Sequence, residues 1–315
     1  MEKQRWKYTG TKAMNDTYLN TVRLLLKCTP TVFHSGLFAL KGGTAINLFI
    51  RDMPRLSVDL DLVYINHEKS RDQALEDISN AIKAICTRLQ SQGITAHIKP
   101  GAKLDSKIFI SENNITVKVE INHVMRGVVS TVVNTTITQA VKDRFKMNVT
   151  APMLSPNEVY AGKLVAAMDR QHPRDLFDVH QLMENEGVSM DMIGIFVAYL
   201  ACHNRPIHEV LFSNMLDIEK EYKNNFVGMA EKDISLETLI DTREKLFNTV
   251  RSMLTSKHKQ FLFSLAKAEP VWSLADIPHL ENLPGMRWKL QNLNILKDKD
   301  PTKLKYQADQ LELLF

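Results

Sequence analysis

The chain has 315 residues, 44% hydrophobic and 24% charged, a make-up that suits a globular protein able to bury a sizeable core and divide into two domains. Forty basic residues against 36 acidic leave a net charge of +4, which excludes a partner held by bulk positive charge alone. Cys28, Cys86 and Cys202 lack paired spacing, the start Met1-Glu2-Lys3-Gln4-Arg5-Trp6 lacks an apolar signal core, and no run is long enough to span a membrane; disulfides, a zinc site and a membrane partner are therefore not expected, and the expected home is the cytoplasm.

An N-terminal helix is expected near Ala13–Lys27, then a strand near Phe38–Leu40 that runs into Lys41-Gly42-Gly43-Thr44. Without Cβ atoms, Gly42 and Gly43 let backbone approach a phosphate closely, and the helix starting near Thr44 offers free N–H groups and a positive dipole end. Thr44 is a candidate cap for that helix. This turn is distinct from the ATP-binding G-x-x-x-x-G-K-[ST] loop, a pattern absent here. Fifteen residues, Thr44 to Val58, lead to the next feature, a strand near Val58–Ile65. There Asp59 and Asp61 point one way while Val58, Leu60 and Leu62 point into a core. Two carboxylates one strand repeat apart can share Mg²⁺, which takes hard oxygen ligands and partners readily with substrate phosphates. Ser57, one repeat earlier, shares their face and is placed to donate to a phosphate oxygen. Taken singly, a Gly-Gly pair is an ordinary turn and Asp-x-Asp an ordinary solvated strand edge.

A long helix near Ser70–Gln92 is closed by Gly93, and strands follow near Ile94–Ile98, Lys107–Ser111 and Ile115–Val124. On the last of these Val117, Val119 and Ile121 share one face, and Lys118, Glu120 and Asn122 the other. Glu120 is the candidate third carboxylate, for metal or for the proton of an attacking hydroxyl; the plainer reading is a half-exposed strand with a polar side. Lys142, Arg144 and Lys146 around Phe145 form a small basic cluster that suits a nucleic-acid backbone. The mixed region ends near residue 150, so the expected class is α+β: residues 1–150 carrying a mixed sheet with helices, 151–315 mostly helical.

Ser155-Pro156-Asn157-Glu158 is a helix start with Ser at N-cap, Pro at N1 and Glu at N3 reaching back as a capping box. Along that helix Lys163, Ala167 and Arg170 share a face. The small residues Ala161, Gly162, Ala166 and Ala167 predict close packing around Lys163. His172-Pro173 breaks the helix, and the next begins Arg174-Asp175-Leu176-Phe177-Asp178, with Asp175 and Asp178 as same-face neighbours. A solvated basic stripe, a dipole-answering Asp175 and an Arg174–Asp178 ion pair are the bland alternatives. Helices are expected over Leu236–Leu254 and Lys257–Lys267, after which Pro270, Pro278 and Pro284 punctuate a looped tail. In that tail Arg287, Trp288 and Lys289, followed by Lys297, Lys299, Lys303 and Lys305, form a second basic segment with an aromatic residue, diluted by Asp298, Asp300 and Asp309.

Four motifs, in this order, resemble the AbiEii/AbiGii-type nucleotidyltransferase toxins of type IV toxin–antitoxin and phage-defence systems: Lys41-Gly42-Gly43-Thr44, Arg55-x-Ser57-x-Asp59-x-Asp61, Lys163-x-x-Ala166, and Arg174-Asp175-x-x-Asp178. The segment Pro284 to Leu293 resembles the tail of many members, so the likeness spans about Phe38 to Leu293. The resemblance implies a nucleotidyltransferase fold completed by the helical C-terminal part, with Asp59 and Asp61 binding metal. It implies triphosphate handling by Gly42, Gly43, Thr44, Ser57 and Lys163, and an acidic role for Asp175 or Asp178. It further implies Mg²⁺ and a nucleoside triphosphate, an RNA acceptor such as the 3′ end of tRNA with a block on translation, and a cognate antitoxin. A protein or small-molecule acceptor, and a degenerate nucleotide- or RNA-binding module without activity, are the rival expectations.

Overall fold

The computed structural model describes residues 16–98 and 107–315; the first residues of the expected N-terminal helix, and the start Met1–Trp6, lie outside them. A seven-stranded mixed sheet carries strand order β3-β4-β5-β2-β1-β7-β6. In chain order the elements are helix α1 (Asp16–Val32), β1 (Phe38–Lys41), helix α2 (Gly42–Thr44) continuing as a π-helical segment (Ala45–Ile50), β2 (Asp59–Tyr64), α3 (Arg71–Ser91), β3 (Thr95–Ile98), β4 (Lys107–Glu112), β5 (Ile115–Asn122), β6 (Val132–Thr136), α4 (Gln139–Phe145) and β7 (Thr150–Leu154). Then come α5 (Pro156–Arg170), α6 (Pro173–Asn185), α7 (Met190–Ala201), α8 (Ile207–Leu211), α9 (Glu219–Asn225), α10 (Leu236–Met253), α11 (Ser256–Ala266), α12 (Pro284–Lys299) and α13 (Pro301–Leu314).

Alternation fixes which face of the sheet is covered. Leu60 and Leu62 of β2, Val117, Val119 and Ile121 of β5, and Ile108 and Ile110 of β4 are buried. On that side α1 packs against β5 and α3 against β3. The residues between them, Asp59, Asp61, Lys118 and Glu120, are only half-buried. α3 forms because Ser70 and Gln73 make a reciprocal capping box, and it ends at Gly93 in the left-handed region at φ +77°.

β7 pairs with β1 in parallel, Leu40 opposite Met153, and β6 pairs antiparallel with β7. The division expected near residue 150 thus falls at the first residue of β7, and the sheet is complete only at Leu154. The looped tail after Pro270 is a correction. Only residues up to Leu283 are turns and short 3₁₀ segments; Pro284 and Pro301 sit in the first turns of α12 and α13. A proline there loses no hydrogen bond and presets the helical φ, so it starts a helix rather than stopping one. Among the described residues no helix is long and apolar enough to cross a membrane, and the three cysteines are free and buried.

Candidate active site

The glycine turn sits where β1 hands over to the helix. Gly42 takes φ +76°, and a Cβ on it would collide with the Asp61 carboxylate. At Gly43 a Cβ would meet Ser57 Oγ at 2.8 Å and Arg55 Nη2 at 2.9 Å. Gly42 is required because its φ is positive and the Asp61 carboxylate of β2 fills the space beside it; the close neighbours of Gly43 are side-chain ends on the segment that leads into β2. Thr44 is not a cap: the helix already begins at Gly42, and the buried Thr44 hydroxyl donates to the Asp59 carbonyl at 2.5 Å and lies 3.1 Å from Ser57 Oγ. It pins the turn to the aspartate strand.

Asp59 and Asp61 share the open face of β2, as their spacing predicts. Asp61 lies opposite Lys41 on β1 and Glu120 on β5. Burial raises its pKa; Lys41 and Lys163 oppose that rise, and the charges of Asp59 and Glu120 add to it. Lys41 is in turn pushed down by burial, against the pull of Asp61. Glu120 stands in the expected place, with its carboxylate engaged: Lys107 Nζ lies 2.5 Å away and Lys118 Nζ 3.3 Å. Burial works to raise its pKa, but the two ammoniums win and hold it below the usual range. Lys118 also reaches Asp59 at 3.3 Å.

Behind the turn lies a buried charge network. Lys163 on α5 is 7% exposed and meets Asp175 Oδ1 at 2.8 Å and Asp178 Oδ2 at 3.0 Å. Arg55 forks onto Asp178 through Nε at 2.7 Å and Nη2 at 2.5 Å. Arg170 closes the other end on Asp175. Burial alone would raise both carboxylates and lower Lys163. The opposite charges overcome it, so Asp175 and Asp178 are held low and Lys163 and Arg55 high. Both aspartates therefore clamp the lysine, and Asp178, turned inward by α6, pairs with Arg55 rather than with Arg174, the bland alternative. Arg174 itself is exposed. The close packing predicted around Lys163 is present, with Ala161 and Ala167 fully buried and the Tyr199 ring of α7 placed 3.6 Å from where a Cβ on Gly162 would stand.

Two residues with no assigned role tie these parts together. Asn47, fully buried, donates to the Gly43 carbonyl at 2.8 Å and reaches Asp178 Oδ1 at 3.5 Å, while its Oδ1 accepts from the Arg55 N–H at 3.2 Å. Arg55 is the other. The signal for Asn47 is its place four residues after Gly43 on the same helical face.

Half of the capping box at α5 is also different. Ser155 Oγ accepts from the Glu158 N–H, but the Glu158 carboxylate, fully buried, takes the N–H groups of Val129 and Ser130 at 2.8 Å each and the Tyr199 hydroxyl at 3.1 Å. It anchors the loop before β6 instead of its own helix start. Neither basic cluster keeps its expected form. Phe145 is 4% exposed beneath Arg23, and Lys289 is buried, donating to the carbonyls of His203 and Arg205. Phe145 is thus too buried to stack a base, and Lys289 is already committed to the protein's own backbone.

The model of the family described as "Nucleotidyl transferase AbiEii toxin, Type IV TA system" matches residues 23–291. Among solved structures the chain is similar to MenT4, the nucleotidyltransferase toxin Rv2826c from Mycobacterium tuberculosis H37Rv, at 13% identity and a TM-score of 0.58, over 88% of this chain and 92% of that one. At that identity the likeness speaks for the fold. No match is found among curated proteins. With the family model covering most of its length, this chain belongs to the AbiEii nucleotidyltransferase toxins of type IV toxin–antitoxin systems.

Proposed function

We propose that the chain transfers a nucleoside monophosphate from a nucleoside triphosphate to an RNA acceptor, the 3′ end of tRNA, blocking translation in the cytoplasm until a cognate antitoxin intervenes; phage defence is the expected setting. The observation that carries this reading is the packing of the glycine turn on the aspartate strand: the Asp61 carboxylate fills the space a Cβ on Gly42 would need, so the backbone of the turn lies directly beside the Asp59–Asp61 strand. The acceptor hydroxyl oxygen bonds to the α-phosphorus and gives its proton up to solvent water, the bond from the α-phosphorus to the α,β-bridging oxygen breaks, and pyrophosphate leaves with the electron pair.

The donor set fits Mg²⁺. Among the described residues no cluster of three or more His, Cys, Asp or Glu forms a ready metal cage, and Mg²⁺ with a nucleotide characteristically uses one or two carboxylates plus phosphate oxygens instead. Asp59 and Asp61 are such a pair; Asp61 is raised first by burial and then by the charges of Asp59 and Glu120, and a cation would oppose both. When bound, the metal would supply Lewis-acid stabilisation of the charge on the reacting phosphate.

The remaining roles belong to the chain itself. Gly42 and Gly43 admit the triphosphate, with Thr44 and Ser57 lining the turn. Lys163, fixed and charged between Asp175 and Asp178, supplies a positive field behind that turn rather than a mobile ligand. Glu120, already neutralised by Lys107 and Lys118, keeps those lysines at the face and is a weak proton acceptor. The nucleotidyltransferase unit, residues 1–150 with β7 added, and the helical remainder together complete the site.

The test is incubation of purified protein with each labelled nucleoside triphosphate, Mg²⁺ and total RNA, protein or small-molecule acceptors. Label is expected at RNA 3′ ends and is expected to fall by about 10³-fold in Asp59→Asn. Label on protein or on a small molecule alone would replace the acceptor, and an undiminished Asp59→Asn would sink the enzymatic reading.

A further inference from the structure

The open face of the sheet continues past the aspartates. Cross-strand register sets His97 on β3 opposite Phe109 on β4, Phe109 opposite Lys118 on β5, and Lys118 opposite Asp59 on β2. The four side chains therefore form one row on one face. The residues that alternate with them, Ala96, Ile108, Ile110, Val117 and Val119, are buried on the other side, where α1 and α3 pack. His97 is exposed and Phe109 half-buried. Their rings lie nearly parallel, 17° apart in plane and 5.6 Å between centroids.

A single surface phenylalanine is ordinary. This one differs in where its row leads. From this stacked aromatic pair the row passes to an ammonium, Lys118, and from there at 3.3 Å to Asp59. Two strand spacings, roughly 10 Å, separate Phe109 from Asp59. An aromatic platform, then a cation, then the reacting centre is the sequence of groups that an unpaired RNA end presents in reverse: base, phosphate, terminal hydroxyl. Aromatic side chains on an open sheet stack unpaired bases with little regard to sequence, and lysines follow the backbone.

We propose that the β3–β4–β5 face seats the acceptor, an unpaired base at the RNA 3′ end stacking on the His97–Phe109 pair while Lys118 meets its phosphate and the terminal ribose hydroxyl lies at Asp59. This placement rests on the RNA-acceptor reading above. Lys107, exposed at the edge of the same face and paired with Glu120, extends the basic track toward the preceding nucleotide.

The experiment uses the full-length protein and a short single-stranded RNA carrying 2-aminopurine at its 3′ end. Wild type is expected to quench the fluorophore on binding, with quenching lost in Phe109→Leu and kept in Phe109→Trp. The KM for RNA is expected to rise roughly 5- to 150-fold in Phe109→Leu, with calorimetric affinity for the Mg–nucleotide complex unchanged. Lys118→Ala is expected to lower the slope of log affinity against log salt by about one. Unchanged quenching and KM in Phe109→Leu, in a wild type that labels RNA, would overturn this placement alone. Loss of nucleotide affinity alongside RNA affinity in both Phe109→Leu and His97→Ala would overturn it as packing damage. A wild type that labels no RNA overturns the acceptor reading first and this placement with it.

Discussion

Two groups of aspartates lie on either side of the glycine turn, and they are built in opposite ways. Asp175 and Asp178 are buried, each held by two cations at 2.5–3.2 Å, and their charges are fixed. Asp59 and Asp61 stand half-open, Asp59 with Lys118 at 3.3 Å and Asp61 raised by burial and by its own acidic neighbours against the pull of Lys41. The first pair is satisfied by the protein; the second is left for something else to satisfy. A carboxylate whose charge is fully matched contributes framework, whereas one left in mutual repulsion stores the driving force for binding a cation.

The same kind of substitution should therefore act with opposite sign on the two sides. Asp178→Ala leaves Arg55 and Lys163 buried without their shared counter-charge, a loss of about 3–5 kcal/mol in stability that urea denaturation would register; a change below 1 kcal/mol would show the network to be wet. Ser57→Glu sets a negative charge beside the turn and should weaken Mg–nucleotide binding by about 100-fold in calorimetry, with the fold retained, since Ser57 is half-exposed. Asp61→Asn removes a carboxylate raised chiefly by burial, and with it the repulsion from Asp59 and Glu120, and should stabilise the ligand-free protein by about 0.5–1 kcal/mol while abolishing transfer; a lowered Tm would contradict that. Arg170→Ala is the smallest, under about 1 kcal/mol, because its side chain is 63% exposed and its partner keeps Lys163.

The pH dependence carries the same contrast. Asp175 and Asp178 are depressed in the fold, so the stability they contribute is present above the ordinary carboxylate range and is lost as pH falls below it. Asp61 is raised, so its term has the other sign: the fold is helped while it is protonated, and that help fades as pH climbs past its elevated pKa. Denaturation of wild type and Asp61→Asn across mildly acidic to neutral pH should diverge as pH rises.

Much of this contrast was legible in the chain. The alternation around Asp59 and Asp61 and around Glu120 gave strand, face and neighbours, because period-two burial leaves no other register. The lysine–aspartate spacing of α5 and α6 gave same-face residues but not their partners. Arg55 is 123 residues from Asp178, a distance across which local periodicity says nothing. β6 escaped notice because Val132-Val133-Asn134-Thr135-Thr136 does not alternate; as the edge strand of the sheet it needs only its pairing with β7. The tail misled because proline was taken as an end, and Trp288 at 50% exposure beside buried Lys289 shows that a basic aromatic cluster in sequence need not be one in space.

The Arg55–Asp178 fork joins a residue before β2 to one on α6, across the point where a biologist would cut the gene. Expressed separately, the sheet half would carry a guanidinium and the helical half a carboxylate, each shaped for a companion it no longer has. Neither fragment should stay soluble alone, while the two produced together should reassemble, which makes Leu154–Ser155 a natural seam for a split reporter of this toxin's assembly.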